Sequence, residues 1–364
     1  MEEQIMYLRP AYFAEKERVL LEKGELCISL FRYDSGVCAV RVRNKAGNFI
    51  VLPYQGQQIW RMEFLGHPLT MRSQFEEPCI TTDFRSNYGM FLLHCGLTAM
   101  GNPAPGDSHP QHGELPFAPF QNAFLLSGSD AGGEYVAVGG MYEHARCFRV
   151  HYTFQPVYKL YAGASTIRIE VSFTNLRDDP LEYFYMCHIN HRPVDGARLV
   201  CSAEDGLVRH HYAPPARLST EKRAAYDAFF KRISQDPGLQ NRVDRKTQMY
   251  EPEICSTVTY RHDERKQAHT LQILPDGYAC YVRHDPTLLP IGLRWIARTC
   301  AEDAMGMVLP ATAEHLGYLY CKEHHFERYL APHETMRYEI ETGLLAPPAV
   351  RAVEEKIARI MAGS

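Results

Sequence analysis

The stretch IRIEVSFTN, residues 167–175, decides the fold class. Ile167, Ile169, Val171 and Phe173 fall on one side of an extended chain, and Arg168, Glu170, Ser172 and Thr174 on the other. A period of two with one apolar and one polar face marks a strand of an antiparallel sheet that is covered on one side only. MRYEIET, residues 336–342, repeats the pattern with Met336, Tyr338 and Ile340. Between such runs lie the turn-forming clusters KAGN, SGSDAGG, LRDDP, LPDG and RHDP. Many short strands without regularly alternating helices predict a large all-β sandwich.

Helical periodicity is convincing in two places. In STEKRAAYDAFFKRISQDPG, residues 219–238, Ser219 or Thr220 can cap a helix whose face is Tyr226, Phe229, Phe230 and Ile233, and Pro237 stops it. The tail from Pro347 places Val350, Val353, Ile357 and Ile360 on one face after two prolines suited to a helix start. A helical insertion over about residues 215–240 and a C-terminal helix over about 348–361, covering a sheet edge or face, are therefore expected. No repeat or linker divides the chain, which reads as one domain over residues 1–364.

A net charge of -4, with no run of five like charges, argues against a nucleic-acid partner. MEEQIMYLRP lacks the positive start and apolar core of a secretory signal, and no window has the roughly 18 uninterrupted apolar residues of a membrane span. A cytoplasmic protein with no membrane partner is expected. Eleven cysteines without a Cys-x-x-Cys pair read as reduced packing residues rather than a disulfide framework.

Three segments could carry chemistry. LLHCGLTAMGNPAPGDSHPQHGELPFAPF, residues 92–120, runs from a strand into a long Gly- and Pro-rich loop bearing His109, His112 and Glu114. These three lack the helical His-Glu-x-x-His spacing that gives a metal motif its force, so a polar loop, a metal site and an acid-base pair all remain open. In NLRDDPLEYFYMCHINHRP, residues 175–193, alternation puts His188 on the face of Phe184 and Met186. A histidine so placed is commonly a packed core residue, and burial would keep it neutral near pH 7. LRWIARTCAEDAMGMVLPATAEHLGY, residues 293–318, is either an ordinary hairpin with a buried Trp295 or a sugar-stacking aromatic near a carboxylate such as Glu314.

These blocks together resemble the aldose 1-epimerase (galactose mutarotase-like) superfamily, in an aldose epimerase-like branch, over about residues 45–345. TNLRDDPLEYFYMCHIN is similar to its Asn-containing strand, turn and His-bearing strand; HCGLTAMGNP with QHGELP looks like its CGL and HG segment; LPIGLRW with GMVLPAT looks like its LP, W and GLEPAT segment. The resemblance implies a large antiparallel β-supersandwich with an open sugar cleft. It further implies cofactor-independent interconversion of the anomers of a monosaccharide by a His/Glu acid-base pair. The family's acid histidine falls on His188 and its sugar-binding histidine on His112.

Two departures follow. Leu309 stands where the family has its base glutamate, and Glu114 stands where it usually has a sugar-gripping arginine. Either Glu114 or Glu314 is expected to supply the missing base, with Arg61, Asn190, Glu253 and Trp295 as further substrate contacts. An acidic Glu114 also argues against an anionic sugar. Two other readings stay open. One is a metal-dependent sugar isomerase, epimerase or lyase holding zinc or manganese on His109, His112, Glu114 and His188. The other is a carbohydrate-binding protein without catalysis.

Overall fold

The computed structural model describes residues 3–204, 209–211, 218–251 and 253–363. Two large antiparallel sheets face each other. One has nine strands, ordered Gln4–Leu8, Asn122–Asp130, Gly133–Arg146, Val150–Tyr161, Thr166–Asn175, Thr335–Leu345, Ala279–His284, Ala268–Ile273 and Arg198–Cys201. The other has thirteen strands; its central run is Ile254–Val258, Ile291–Arg298, Asp303–Ala311, Leu181–Ile189, Leu92–Leu97 and Ile59–Phe64, and it ends at Arg18–Lys23. The opening stretch behaves as its pattern requires. In Thr166–Asn175 burial alternates residue by residue, with Ile167, Ile169, Val171 and Phe173 buried against the second sheet.

The expected helices form with small shifts. Thr220–Gln235 is capped by the Ser219 side chain and packs Tyr226, Phe229 and Ile233 against Tyr250 and Ile254. Residues 215–217, the expected start of that insertion, lie outside the described residues. The C-terminal helix, Pro347–Ala362, lays Val350 and Ile357 on Leu271, Ile273 and Tyr281 of the nine-stranded sheet. A short helix at Tyr318–Glu323 has no counterpart in the sequence reading; its six residues are too few to show a period.

A polar chain runs across the apolar interior. His94 is fully buried, with its Nδ1 2.8 Å from the Tyr185 hydroxyl and its Nε2 2.8 Å from the Tyr158 hydroxyl. Tyr158 donates its own proton to the Gln57 carbonyl at 2.5 Å, so it accepts from His94 Nε2–H, and Nδ1 accepts from Tyr185. Tyr158 belongs to the nine-stranded sheet and Tyr185 and His94 to the other, so a neutral imidazole joins the two layers.

Candidate active site

The outer face of the thirteen-stranded sheet carries an open cleft of about 490 Å³. Its floor follows from strand alternation. Tyr185 and Cys187 point into the sandwich, so Met186 and His188 point outward, beside Leu293 and Trp295 of the strand Ile291–Arg298. Leu309 sits across from Leu293 in the ladder, and Cys255 across from Trp295. Gly306 leaves the space that the Leu309 side chain fills, since a Cβ there would lie 2.4 Å from Leu309 Cδ2.

Two loops build the walls. In the loop that follows strand Leu92–Leu97, His112 takes a left-handed backbone, φ 62°, and is fastened by its amide to Gly101 O at 2.8 Å and by its carbonyl to Gly96 N at 2.9 Å. A non-glycine residue in that region stores strain that the surroundings must sustain, a common property of ligand sites. The turn aims the His112 ring at His188, with ring centres 5.3 Å apart, and against Phe84 at 5.0 Å. The second loop, residues 73–91, brings Phe84, Arg85 and Tyr88 to the cleft. Tyr88 donates to Asn190 Oδ1 at 2.9 Å and meets both His188 and Trp295 edge to face.

Trp295 joins the two groups most suited to proton chemistry. Its ring centre lies 5.6 Å from that of His188, and its indole Nε1–H donates to Glu253 Oε2 at 2.6 Å. Glu253 is half-buried and lines the cleft. Burial holds the His188 imidazole down to a pKa of about 3, and burial, with a smaller contribution from His188, holds His112 well below the ordinary histidine value. His315, also on the cleft, is lowered by burial to about 4; its Nδ1 lies 3.7 Å from Cys255 Sγ. The cleft therefore presents three imidazoles held neutral by burial and two carboxyl groups, Glu253 on the Trp295 indole and Glu302 bonded to Gln74 at 3.3 Å.

The other expected site residues are placed elsewhere. Glu114 turns away from the cleft, and its carboxylate accepts from Leu97 N at 3.1 Å, Thr98 N at 3.0 Å, Thr98 Oγ1 at 2.7 Å and Tyr152 Oη at 2.6 Å. It is a clamp between sheet and loop, with its oxygens already used. Glu314 is fully buried, accepting from Thr257 Oγ1 and Tyr320 Oη at 2.9 Å each and paired with Arg209. Neither of the two carboxylates expected to be the base lines the cleft. Arg61 directs its guanidinium to the carbonyls of Trp60, Phe75, Glu76 and Gly89, at 2.6 to 3.2 Å, and so holds the 73–91 loop rather than facing the cleft. Asn190 is fully buried and positions Tyr88, while donating to Met90 O at 3.0 Å.

The suggested metal set is not assembled. His109 is bound to Pro110 O, to Tyr318 N and to Asp107, and Glu114 is committed as described, so only His112 and His188 of the four face one another. Among the described residues no three His, Cys, Asp or Glu side chains gather as a metal-binding group. Sequence reasoning missed Phe84, Arg85 and Tyr88, whose loop carries no period, and gave no role to Cys255 or His315, although His315 adjoins the expected Glu314.

Residues 34–344 match the family described as Domain of unknown function (DUF4432). The chain belongs to that family. No curated protein matches the sequence. Among solved structures, this DUF4432 chain is similar to a protein from Klebsiella pneumoniae named as a candidate aldose 1-epimerase, with TM-score 0.81 and 16% identity over 99% of this chain and 96% of that one. It is also similar to a galactose mutarotase-like protein from Clostridium acetobutylicum, with TM-score 0.57 and 11% identity over 89% and 99% of the two chains. A galactose 1-epimerase from Lactobacillus acidophilus follows, with TM-score 0.50 and 11% identity over 91% and 98%. At these identities the likeness is one of fold, and it establishes the galactose mutarotase-like β-sandwich. No helix among the described residues is long and apolar enough to cross a membrane.

Proposed function

We propose that this DUF4432 protein is a cofactor-independent sugar mutarotase that interconverts the anomers of a free monosaccharide, with Glu253 as base and His188 as the partner of the ring oxygen. The observation that carries this reading is the grouping of a carboxylate and a neutral imidazole around one indole in an open cleft. The fold shared with proteins named as aldose 1-epimerases supports it.

Glu253 takes the proton of the anomeric hydroxyl while the bond between C1 and the ring oxygen breaks, leaving an open-chain aldehyde. Negative charge develops on the departing ring oxygen. An imidazole kept neutral by burial acts there as an N–H donor rather than as an imidazolium, in the way a neutral histidine can polarise an oxygen. Rotation about C1–C2 presents the other face of the carbonyl, and Glu253 returns the proton as the ring closes. The Trp295 indole holds the Glu253 carboxylate and offers an apolar face to the C–H side of a sugar. His112 and Arg85, on the walls, are suited to hydroxyl groups.

Polarimetric relaxation of freshly dissolved aldoses tests the proposal. The wild type accelerates relaxation of at least one sugar without added metal, and Glu253→Gln and His188→Ala each lose most of that acceleration. Binding without acceleration for every sugar tried would instead support a carbohydrate-binding protein, a reading favoured by the inert Leu309 on the cleft floor.

A further inference from the structure

Each sheet of the sandwich ends in a strand near the start of the chain, and the two edges differ. Arg18–Lys23, at the end of the thirteen-stranded sheet, carries Arg18, Glu22 and Lys23 and a register shift between Val19 and Leu21. Charges and bulges are the ordinary means of keeping an edge from pairing with another chain. Gln4–Leu8, at the end of the nine-stranded sheet, has none of them. It pairs in unbroken register with Leu8↔Ala123 through Gln4↔Ser127 on one side, and among the described residues no strand pairs with the other. Its three central side chains are apolar and open, with Ile5 53%, Met6 42% and Tyr7 62% exposed, while Leu8 is buried. Arg9 keeps the extended backbone beyond it, at φ -128° and ψ 143°, before Pro10 ends the strand.

We propose that this edge pairs with the same edge of a second copy of the chain, antiparallel about Met6, joining two nine-stranded sheets into one across a two-fold axis. The choice of occupant comes from the register itself. Centring on Met6 sets Met6 opposite itself and Ile5 opposite Tyr7, so the exposed apolar side chains meet apolar ones, while Gln4 falls opposite the buried Leu8. It also sets Glu3, whose carboxylate already accepts from Tyr135 Oη of its own chain, opposite Arg9 of the other copy, at both ends of the pairing. An isologous contact must be self-complementary, and here the apolar centre from Ile5 to Tyr7 and the opposite charges at the two ends satisfy that condition. Main-chain hydrogen bonds along the free edge supply the affinity, as in other strand additions. The strand lies outside the catalytic cleft, so the pairing is independent of the function proposed above.

Sedimentation velocity of the full chain over a range of concentrations tests this. The wild type is expected to form dimers. Met6→Lys and Met6→Glu each place like charges face to face on the two-fold axis and shift the protein to monomer, while an equimolar mixture of the two variants restores the dimer. That restoration also shows that the variants are folded. Glu3→Arg and Arg9→Glu alone weaken association by an order of magnitude or more, and the double exchange recovers it. A wild type that stays monomeric overturns the proposal, as does a Met6→Lys dimer of undiminished strength or a mixture that fails to associate.

Discussion

Lowering the pH from about 7.5 to about 5 is expected to destabilise this protein through its buried histidines. Burial holds His94, His188, His191 and His284 each at a pKa of about 3, against an ordinary 6.5. A folded-state value below the unfolded one means that stability is fully present above about pH 6.5 and is lost as pH falls through 6.5 towards 3. The loss per group is about 1.4 kcal/mol for each pH unit, hence about 2 kcal/mol at pH 5 for each histidine that stays neutral in the folded state. His94 shows why it stays neutral. A proton on its Nδ1 would confront the Tyr185 hydroxyl that now donates to it, in a site with no solvent. Urea unfolding followed by the fluorescence of Trp60 and Trp295 at closely spaced pH values gives the proton uptake directly from the slope of stability. An uptake of at least about four protons near pH 5 is expected, because burial lowers His112, His211, His269 and His315 as well, and it falls by about one in His94→Gln, whose amide does not titrate. An uptake of fewer than about two protons would refute the reasoning.

Other outcomes follow from the site. Glu253→Gln keeps an acceptor for the Trp295 indole, so folding persists while kcat falls about 100- to 10,000-fold in the polarimetric assay. Because His188 is neutral throughout, kcat/KM measured from about pH 5.5 to about pH 8 shows no histidine limb near 6.5; activity that declines steadily as pH rises would mean that an imidazolium is required instead. Glu114→Ala leaves two backbone amides and the Tyr152 and Thr98 hydroxyls without their acceptor, and is expected to cost about 3 kcal/mol in denaturant unfolding, without the selective loss of kcat expected for Glu253→Gln. Tyr88→Phe removes the bond to Asn190 and raises KM more than it lowers kcat, because the ring remains but is no longer held.

How far the sequence carried this picture depended on whether the informative contact was local. Strand alternation was enough to put Ile167, Ile169, Val171 and Phe173 on the core face and His188 on one face with Met186, but not to tell that this second face is the outer one, where the cleft lies. It also gave both long helices, whose apolar faces recur every three or four residues. Closeness in the chain misled at Glu114. Being two residues from His112 suggested a shared site, but positive φ at His112 and Gly113 turns the backbone so that the two side chains diverge. Glu253, one of two carboxyl groups that do line the cleft, lies two strands away from Leu309, and only the pairing order of those strands reveals it. Phe84 and Tyr88 come from a loop whose path is set by distant hydrogen bonds, which leave no local trace.

The grip of Arg61 on four carbonyls bears on the entropy of ligand binding. The loop it holds has no sheet of its own through most of its length, yet it supplies the aromatic wall formed by Phe84 and Tyr88. Ordering such a wall at the moment of association would subtract from affinity, at about 0.5–1.5 kcal/mol for each side chain immobilised. Here that ordering is complete once the chain has folded. A residue that never meets the ligand thus leaves more of the contact energy for the ligand itself, and weakening its grip should appear as a less favourable binding entropy before any contact is lost.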